Sequence, residues 1–147
     1  MDKNFIIESL KNGAFLASGD NVMIVGWGGI GYIWRKQVFF APVRYSRHTK
    51  SFIDERKTFA VSFPEVGTMK EEIKLCGTKS GRDTDKKALL KTTFAPKSKS
   101  FFVDGCKEYI ECKVLASVPI TDELMENMPK DFYKDGDYHV MYIGEIL

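Results

Sequence analysis

The sequence predicts a mainly β (α+β) fold, a six-stranded barrel with short helices inserted between strands. Three observations predict it. Runs rich in β-branched and aromatic residues recur at Val22–Val25, Ile30–Val43, Thr58–Phe63 and Tyr109–Ile120. Short stretches with helical spacing of apolar residues lie between them. The last run, Asp137–Ile146, alternates roughly and supplies a strand that completes a barrel, leaving fewer exposed edges. At 147 residues the chain has the size of one domain, so residues 1–147 are expected to fold as a unit.

In chain order, Asp2–Lys11 reads as a short helix or a loose arm, with Phe5, Ile6 and Leu10 as a modest apolar stripe. Ala14–Ala17 and Val22–Val25 flank Ser18, Gly19, Asp20 and Asn21, which have the chemistry of a hairpin turn. Ile30–Val43 continues the sheet. Lys50–Arg56 fits two helical turns, with Ser46 and Thr49 suited to N-caps and Phe52 and Ile53 turned inward. In Thr58–Phe63, Phe59, Val61 and Phe63 alternate with Ala60 and Ser62, a strand with one heavy apolar face. Pro64 ends it. Thr68-x-x-Glu71 then reads as a capping box for a helix carrying Met69, Ile73 and Cys76 on one side. Thr84–Lys91 reads as a helix with Leu90 and Phe94 at i, i+4 spacing and its lysines on a wet face. Phe101–Val103, the Asp104-Gly105 turn and Tyr109–Ile120 suggest a hairpin, and Thr121–Met128 a helical excursion before Pro129.

Composition narrows the function classes. The chain is 44% hydrophobic and 29% charged, as soluble globular proteins are, and its eleven Phe, six Tyr and two Trp favour a sheet-rich core. A formal charge of +2 argues against a nucleic-acid or membrane partner, which needs a concentrated basic face. Met1–Leu10 is too short and too charged for a signal peptide, and no run approaches the ~18 apolar residues of a membrane span. A cytoplasmic location is expected. Cys76, Cys106 and Cys112 lack C-x-x-C spacing and only His48 and His139 are present, so neither a disulfide framework nor a metal site is indicated.

The functional signal concentrates between Asn21 and Ile53. Gly26, Gly28 and Gly31 spell G-x-G-x-x-G, but Gly31 is followed by YIWRKQVFF, a strand-like run where a dinucleotide fold needs a helix, and Trp27 crowds the turn. These glycines read instead as bends in a closed sheet, or as bare backbone against a flat ring; the two are compatible. Arg44, Ser46, Arg47 and Thr49 precede a helix start, where a phosphate would meet N–H groups, hydroxyls and a guanidinium fork. An ordinary capped surface helix with solvated arginines accounts for the same residues. The segment from Cys76 to Lys86, CGTKSGRDTDK, is a polar, glycine-bearing loop that either binds something or merely turns.

Four segments together, NVMIVGWGGIGYIWRK, VRYSRHTKSFI, CGTKSGRDTDK and GDYHVMYIGEI, resemble the flavin reductase family of FMN-binding split β-barrels, the flavoredoxin-like group. The resemblance runs from about Gly13 to the C-terminus. Gln37 and Tyr45 stand where the family pattern expects proline, and His48 where it expects tyrosine. It implies a six-stranded split barrel with Greek-key character that holds FMN and pairs as a homodimer, with Lys79–Arg82 reaching the partner's flavin. It implies cofactor contacts from Val25, Gly26, Trp27, Gly28, Trp34, Arg44, Ser46, Arg47 and Thr49, and from Cys76, Gly77, Lys79, Ser80, Gly81, Arg82 and Asp83. His139, in a G-D-x-H-like segment, would orient a nicotinamide or hydrogen-bond the reduced flavin, the single catalytic assignment; a packed, hydrogen-bonded structural histidine is the other reading.

Three functions follow from that resemblance. One is an NAD(P)H-dependent flavin reductase delivering electrons to flavin, a ferric chelate or a protein acceptor. The second is an FMN-holding electron carrier or ferric reductase. The third is a flavin-binding module without turnover, or an enzyme like the pyridoxamine phosphate oxidases that share the barrel.

Overall fold

In the computed structural model, which describes residues 2–127 and 130–147, the chain opens with a helix and then builds a sheet. Helix α1 (Lys3–Asn12) starts where the Asp2 carboxylate accepts from the Asn4 N–H at 2.9 Å, and it stops at Gly13, whose φ of 107° no other residue takes comfortably. Of the two readings of this segment, the helix is observed. Its apolar stripe places Ile6 and Leu10 in the main core.

Strands β1 (Ala14–Ser18) and β2 (Asn21–Val25) form the expected hairpin. Ile30–Val43 does not run straight. It divides into β3 (Gly29–Ile33) and β4 (Lys36–Arg44), which fold back on each other through Trp34 and Arg35 at φ of 54° and 62°. A turn with both central residues at positive φ is what a tight hairpin requires, but Asn and Gly normally announce it, and neither is present. Helix α2 (Thr49–Arg56), β5 (Thr58–Phe63) and helix α3 (Lys70–Thr78) follow. The expected capping box is not formed: Thr68 Oγ1 donates to the Glu65 carbonyl, and α3 begins after Met69 in a left-handed conformation. The stretch expected as a helix at Thr84–Lys91 contains only a 3-10 turn, Lys87–Leu89. Phe94 lies instead in β6 (Thr92–Ala95), which pairs with β7 (Ser100–Val103), so β7 does not join the sheet through β8. Strands β8 (Glu108–Pro119) and β9 (His139–Ile146) complete the chain. Between them, the expected excursion at Thr121–Met128 is a 3-10 turn at Asp122–Leu124; Met128 and Pro129 lie outside the described residues.

Seven strands, not six, form the main antiparallel sheet, in the order β2-β1-β5-β8-β9-β4-β3, with β6–β7 a separate ribbon. Flat, such a sheet would hold its edges about 29 Å apart. The edges β2 and β3 are joined by Gly26, Trp27 and Gly28 alone, a link that spans at most about 15 Å. The sheet therefore curls toward a barrel. No hydrogen-bonded ladder joins β2 to β3 among the described residues, so the expected closed barrel is an open one.

β1 and β5 are buried on both faces, where the sequence pattern of β5 suggested one heavy face. Leu16, Phe39, Phe59, Phe63 and Tyr142 fill the inside of the curl, and each large apolar side chain so buried contributes about 1.5–3 kcal/mol. Phe15, Ala17 and Val22 face outward against Cys76 of α3 and Phe101 and Val103 of the β6–β7 ribbon, a second core. No helix among the described residues is long and apolar enough to cross a membrane.

Candidate functional site

Two cavities meet at the end of the curl where β4 finishes and β9 begins. The first, of about 280 Å³, is lined by Arg44, Arg47, Lys79, Arg82 and Lys86 with Asn21, Ser46, Thr49 and Ser80, and among the described residues no carboxylate lines it. The second, of about 160 Å³, is lined by Val25, Gly26, Trp27, Pro42 and His139. Met23, Arg44 and Arg47 border both. A cationic, hydroxyl-bearing compartment thus opens beside a smaller one walled by an indole, a proline and an imidazole.

The sheet register places these groups. Arg44 and His139 are direct partners across β4 and β9, so both emerge at the same point of the sheet. β2 directs Asn21 and Met23 toward the basic cavity. Asn21 also ties the site together: its Nδ2 donates to Thr49 Oγ1 at 2.8 Å, both groups being buried, and a Cβ on Gly81 would fall 2.0 Å from its Oδ1. Only glycine lets the 79–82 loop lie so close to β2. Arg82 Nη1 donates to the Ser46 carbonyl at 3.0 Å, fixing that loop across the cavity of its own chain. Arg82, in the segment expected to reach a partner subunit, makes this contact within its own chain.

The segment before β9 straps the site. Arg44 donates from Nη1 to the Asp137 carbonyl at 2.6 Å and from Nη2 to the Phe132 carbonyl at 3.2 Å. The Asp137 carboxylate accepts from Ser46 N–H at 3.1 Å and from Ser46 Oγ at 2.5 Å. Phe132 meets Trp27 edge-on at 5.3 Å between ring centres. Ser46 therefore holds a carboxylate of its own chain rather than capping α2, whose N-cap position is His48.

His139 is buried, 6% exposed, and its Nδ1 lies 2.8 Å from Tyr133 Oη. Burial, reinforced by the positive charges of Arg44 and Arg47 and opposed by Asp137, pushes its pKa down to about 4. The imidazole is neutral at pH 7. Since the unfolded chain accepts this proton near pH 6.5 and the folded chain only near 4, His139 makes stability fall as pH drops through that window. Across that window the loss approaches about 3 kcal/mol. Unfolding of His139→Gln across pH 4–7 checks it: the variant should lose that part of the slope, and an identical slope would contradict the assignment.

Of the residues expected at the site, Arg44, Ser46, Arg47, Thr49, Gly77, Lys79, Ser80, Gly81 and Arg82 line the basic cavity and Val25, Gly26, Trp27 and His139 the second. Trp34 is elsewhere, half-exposed at the β3–β4 turn, because the turn carries it away from the cavities. Cys76 is enclosed in the second core, where burial pushes its thiol up to about 11. Asp83 lines a neighbouring hollow with Asp20 and Asp85. Gly28 is a bend: a Cβ there would lie 2.4 Å from the Phe40 carbonyl oxygen. Gly31 lies within β3, not at a helix start, which removes the dinucleotide-fingerprint reading. Lys86 was missed because its segment read as an exposed helical face; burial of that lysine has no one-residue signal.

The sequence model of the flavin reductase like domain matches residues 37–147. The chain belongs to this family. Among solved structures, the flavin reductase-like chain is similar to a flavoredoxin from Methanosarcina acetivorans, with a TM-score of 0.71 at 23% identity, covering 92% of this chain and 65% of that one. An FMN-binding protein from Thermus thermophilus gives 0.72 at 17%, covering 92% and 67%. An NADH:FAD oxidoreductase from Streptomyces globisporus gives 0.71 at 15%, covering 92% and 72%. At these identities the shared property is the fold, and the chain spans just under two-thirds of the flavoredoxin's length. A search of curated protein sequences returned no match.

Proposed function

We propose that this flavin reductase-like chain binds FMN across the two joined cavities and acts as an oxidoreductase, taking electrons from NAD(P)H and passing them to free flavin, a ferric chelate or a protein acceptor. The observation that carries the reading is the sharing of Arg44 and Arg47 between a cavity without carboxylates and one walled by Trp27, Pro42 and His139. One ligand with a dianionic end and a flat apolar end suits both. The donor set fits that group: cations and hydroxyls at one end, open backbone at the other, where a Cβ on Gly26 would meet nothing nearer than 3.6 Å.

A bound flavin would supply the acceptance and return of hydride or electrons. The chain's residues bind and orient. Arg47, Lys79 and Lys86 neutralise the phosphate, and Thr49, locked by Asn21, presents an ordered hydroxyl. Burial keeps the Tyr133 hydroxyl protonated, and with that hydroxyl donating to His139 Nδ1 at 2.8 Å the neutral ring's proton would sit on Nε2, available to the cavity. A donor at that point would stabilise negative charge developing on a ring. No general base is required.

Titration of the ligand-free protein with FMN and with riboflavin tests the reading. FMN should bind at least tenfold more tightly, because only it carries the phosphate; equal affinities, or no binding of either, would remove the reading. A cytoplasmic homodimer belongs to the same proposal. Tyr32 and Trp34, 73% and 54% exposed on the edge hairpin, offer it an apolar surface, and a stable monomer in sedimentation at full flavin occupancy would remove that part.

A further inference from the structure

The segment before β9 does more than pass the site. One oxygen of the Asp137 carboxylate accepts from the Ser46 N–H and the other from Ser46 Oγ, so a negative group of the chain itself occupies both donors that Ser46 could turn toward a ligand. Among the described residues no cation stands within ion-pair distance of this carboxylate, although arginines border the cavity beside it. A carboxylate placed only to brace the fold would take the stronger, charge-assisted contact. Arg44 instead grips the backbone of the same segment, at the carbonyls of Asp137 and Phe132. From there the segment reaches the second cavity, whose wall Trp27 meets the Phe132 ring edge-on.

This segment is lightly held. Phe132 is 41% exposed, the Ser46–Asp137 hydrogen bonds are open to solvent, and Gly136 turns at φ of 75° with nothing within 4 Å of where a Cβ would stand. Polar, solvent-facing contacts with little apolar burial open locally at low cost. We propose that Phe132–Asp137 is an autoinhibitory latch, in which the Asp137 carboxylate stands in for the anionic end of a ligand until an anion entering the first cavity displaces it and frees Phe132 from Trp27. The latch imposes an order of binding: a second ligand gains the aromatic wall of the second cavity only after the first cavity is filled. It rests on the flavin reading for the identity of the displacing anion. A phosphomonoester, with close to two charges and three acceptor oxygens, outcompetes one carboxylate for the Ser46 donors and for Arg44.

Amide hydrogen exchange of the full chain, ligand-free, with FMN and with inorganic phosphate, tests this together with FMN titration of variants. Binding should speed exchange across residues 132–138 in wild type about tenfold, where a segment that merely braces the site would be protected by the ligand. Asp137→Asn and Asp137→Ala should each bind FMN about tenfold more tightly than wild type, because the internal competitor is gone. Asp135→Asn removes the same charge two residues away without touching Ser46, and should change the affinity much less. Exchange across 132–138 that is slowed or unchanged by both FMN and phosphate, Asp137 variants that bind FMN no more tightly than wild type, or an equal gain in Asp135→Asn would overturn the proposal. A wild type that takes up FMN with the segment unmoved loses the latch and keeps the flavin. One whose segment is released by inorganic phosphate but that takes up no FMN loses the flavin and keeps the latch.

Discussion

Alanine at Gly28 should destabilise the fold by about 3 kcal/mol, read as a shift of the urea midpoint with an unchanged slope. Gly28 has φ of 139°, and an added Cβ would lie 2.4 Å from the Phe40 carbonyl oxygen and 3.2 Å from the Phe39 ring. Backbone cannot step aside as a flexible side chain can, so the link between the two sheet edges would have to move, and with it Trp27. Gly29 is the control: a Cβ there meets nothing within 4 Å, and Gly29→Ala should shift the midpoint little. Equal midpoints for the two variants would show that the bend at 26–28 does not need its glycine.

Arg47→Ala should weaken FMN about ten- to a hundredfold, a loss of about 1.4–2.7 kcal/mol, with little change in stability. The Arg47 guanidinium has no hydrogen-bond partner among the described residues and borders both cavities, so a ligand phosphate would supply its first. Arg44 differs. Its guanidinium already holds the carbonyls of Phe132 and Asp137, and Arg44→Ala should therefore lower stability as well as affinity. An unchanged FMN dissociation constant for Arg47→Ala, measured by flavin fluorescence, would contradict its placement on the phosphate.

The parts of the fold legible in the sequence were those governed by local chemistry. Ser18–Gly19–Asp20–Asn21 marks a hairpin wherever it lies between apolar runs, and it marks one here. The Trp34–Arg35 turn was illegible because two ordinary residues take positive φ at an exposed hairpin tip, without the Asn or Gly that marks such a turn. That turn produced the seventh strand and withdrew Trp34 from the site. Thr84–Lys91 has helical spacing but forms only one 3-10 turn at Lys87–Leu89, with Lys86 drawn inward beneath Cys76. The arginine and hydroxyl cluster was visible as composition. Its internal division was not: Ser46 is taken by Asp137, ninety-one residues later, and Arg44 by the strap, so Arg47, Lys79 and Lys86 carry the unmet charge. Contacts at that separation leave no periodic trace in a single sequence.

In the proposed function this chain holds a flavin where it can exchange electrons with a nicotinamide. The visible spectrum of the FMN-loaded protein, followed under anaerobic conditions as NADH, and separately NADPH, is added, reports that exchange. The flavin absorbance should bleach with one of them, and added free flavin or ferric chelate should then restore it. A protein that binds FMN but stays oxidised with both nucleotides, while accepting electrons from dithionite, would be an electron carrier or flavin-binding module. That result would contradict the oxidoreductase account.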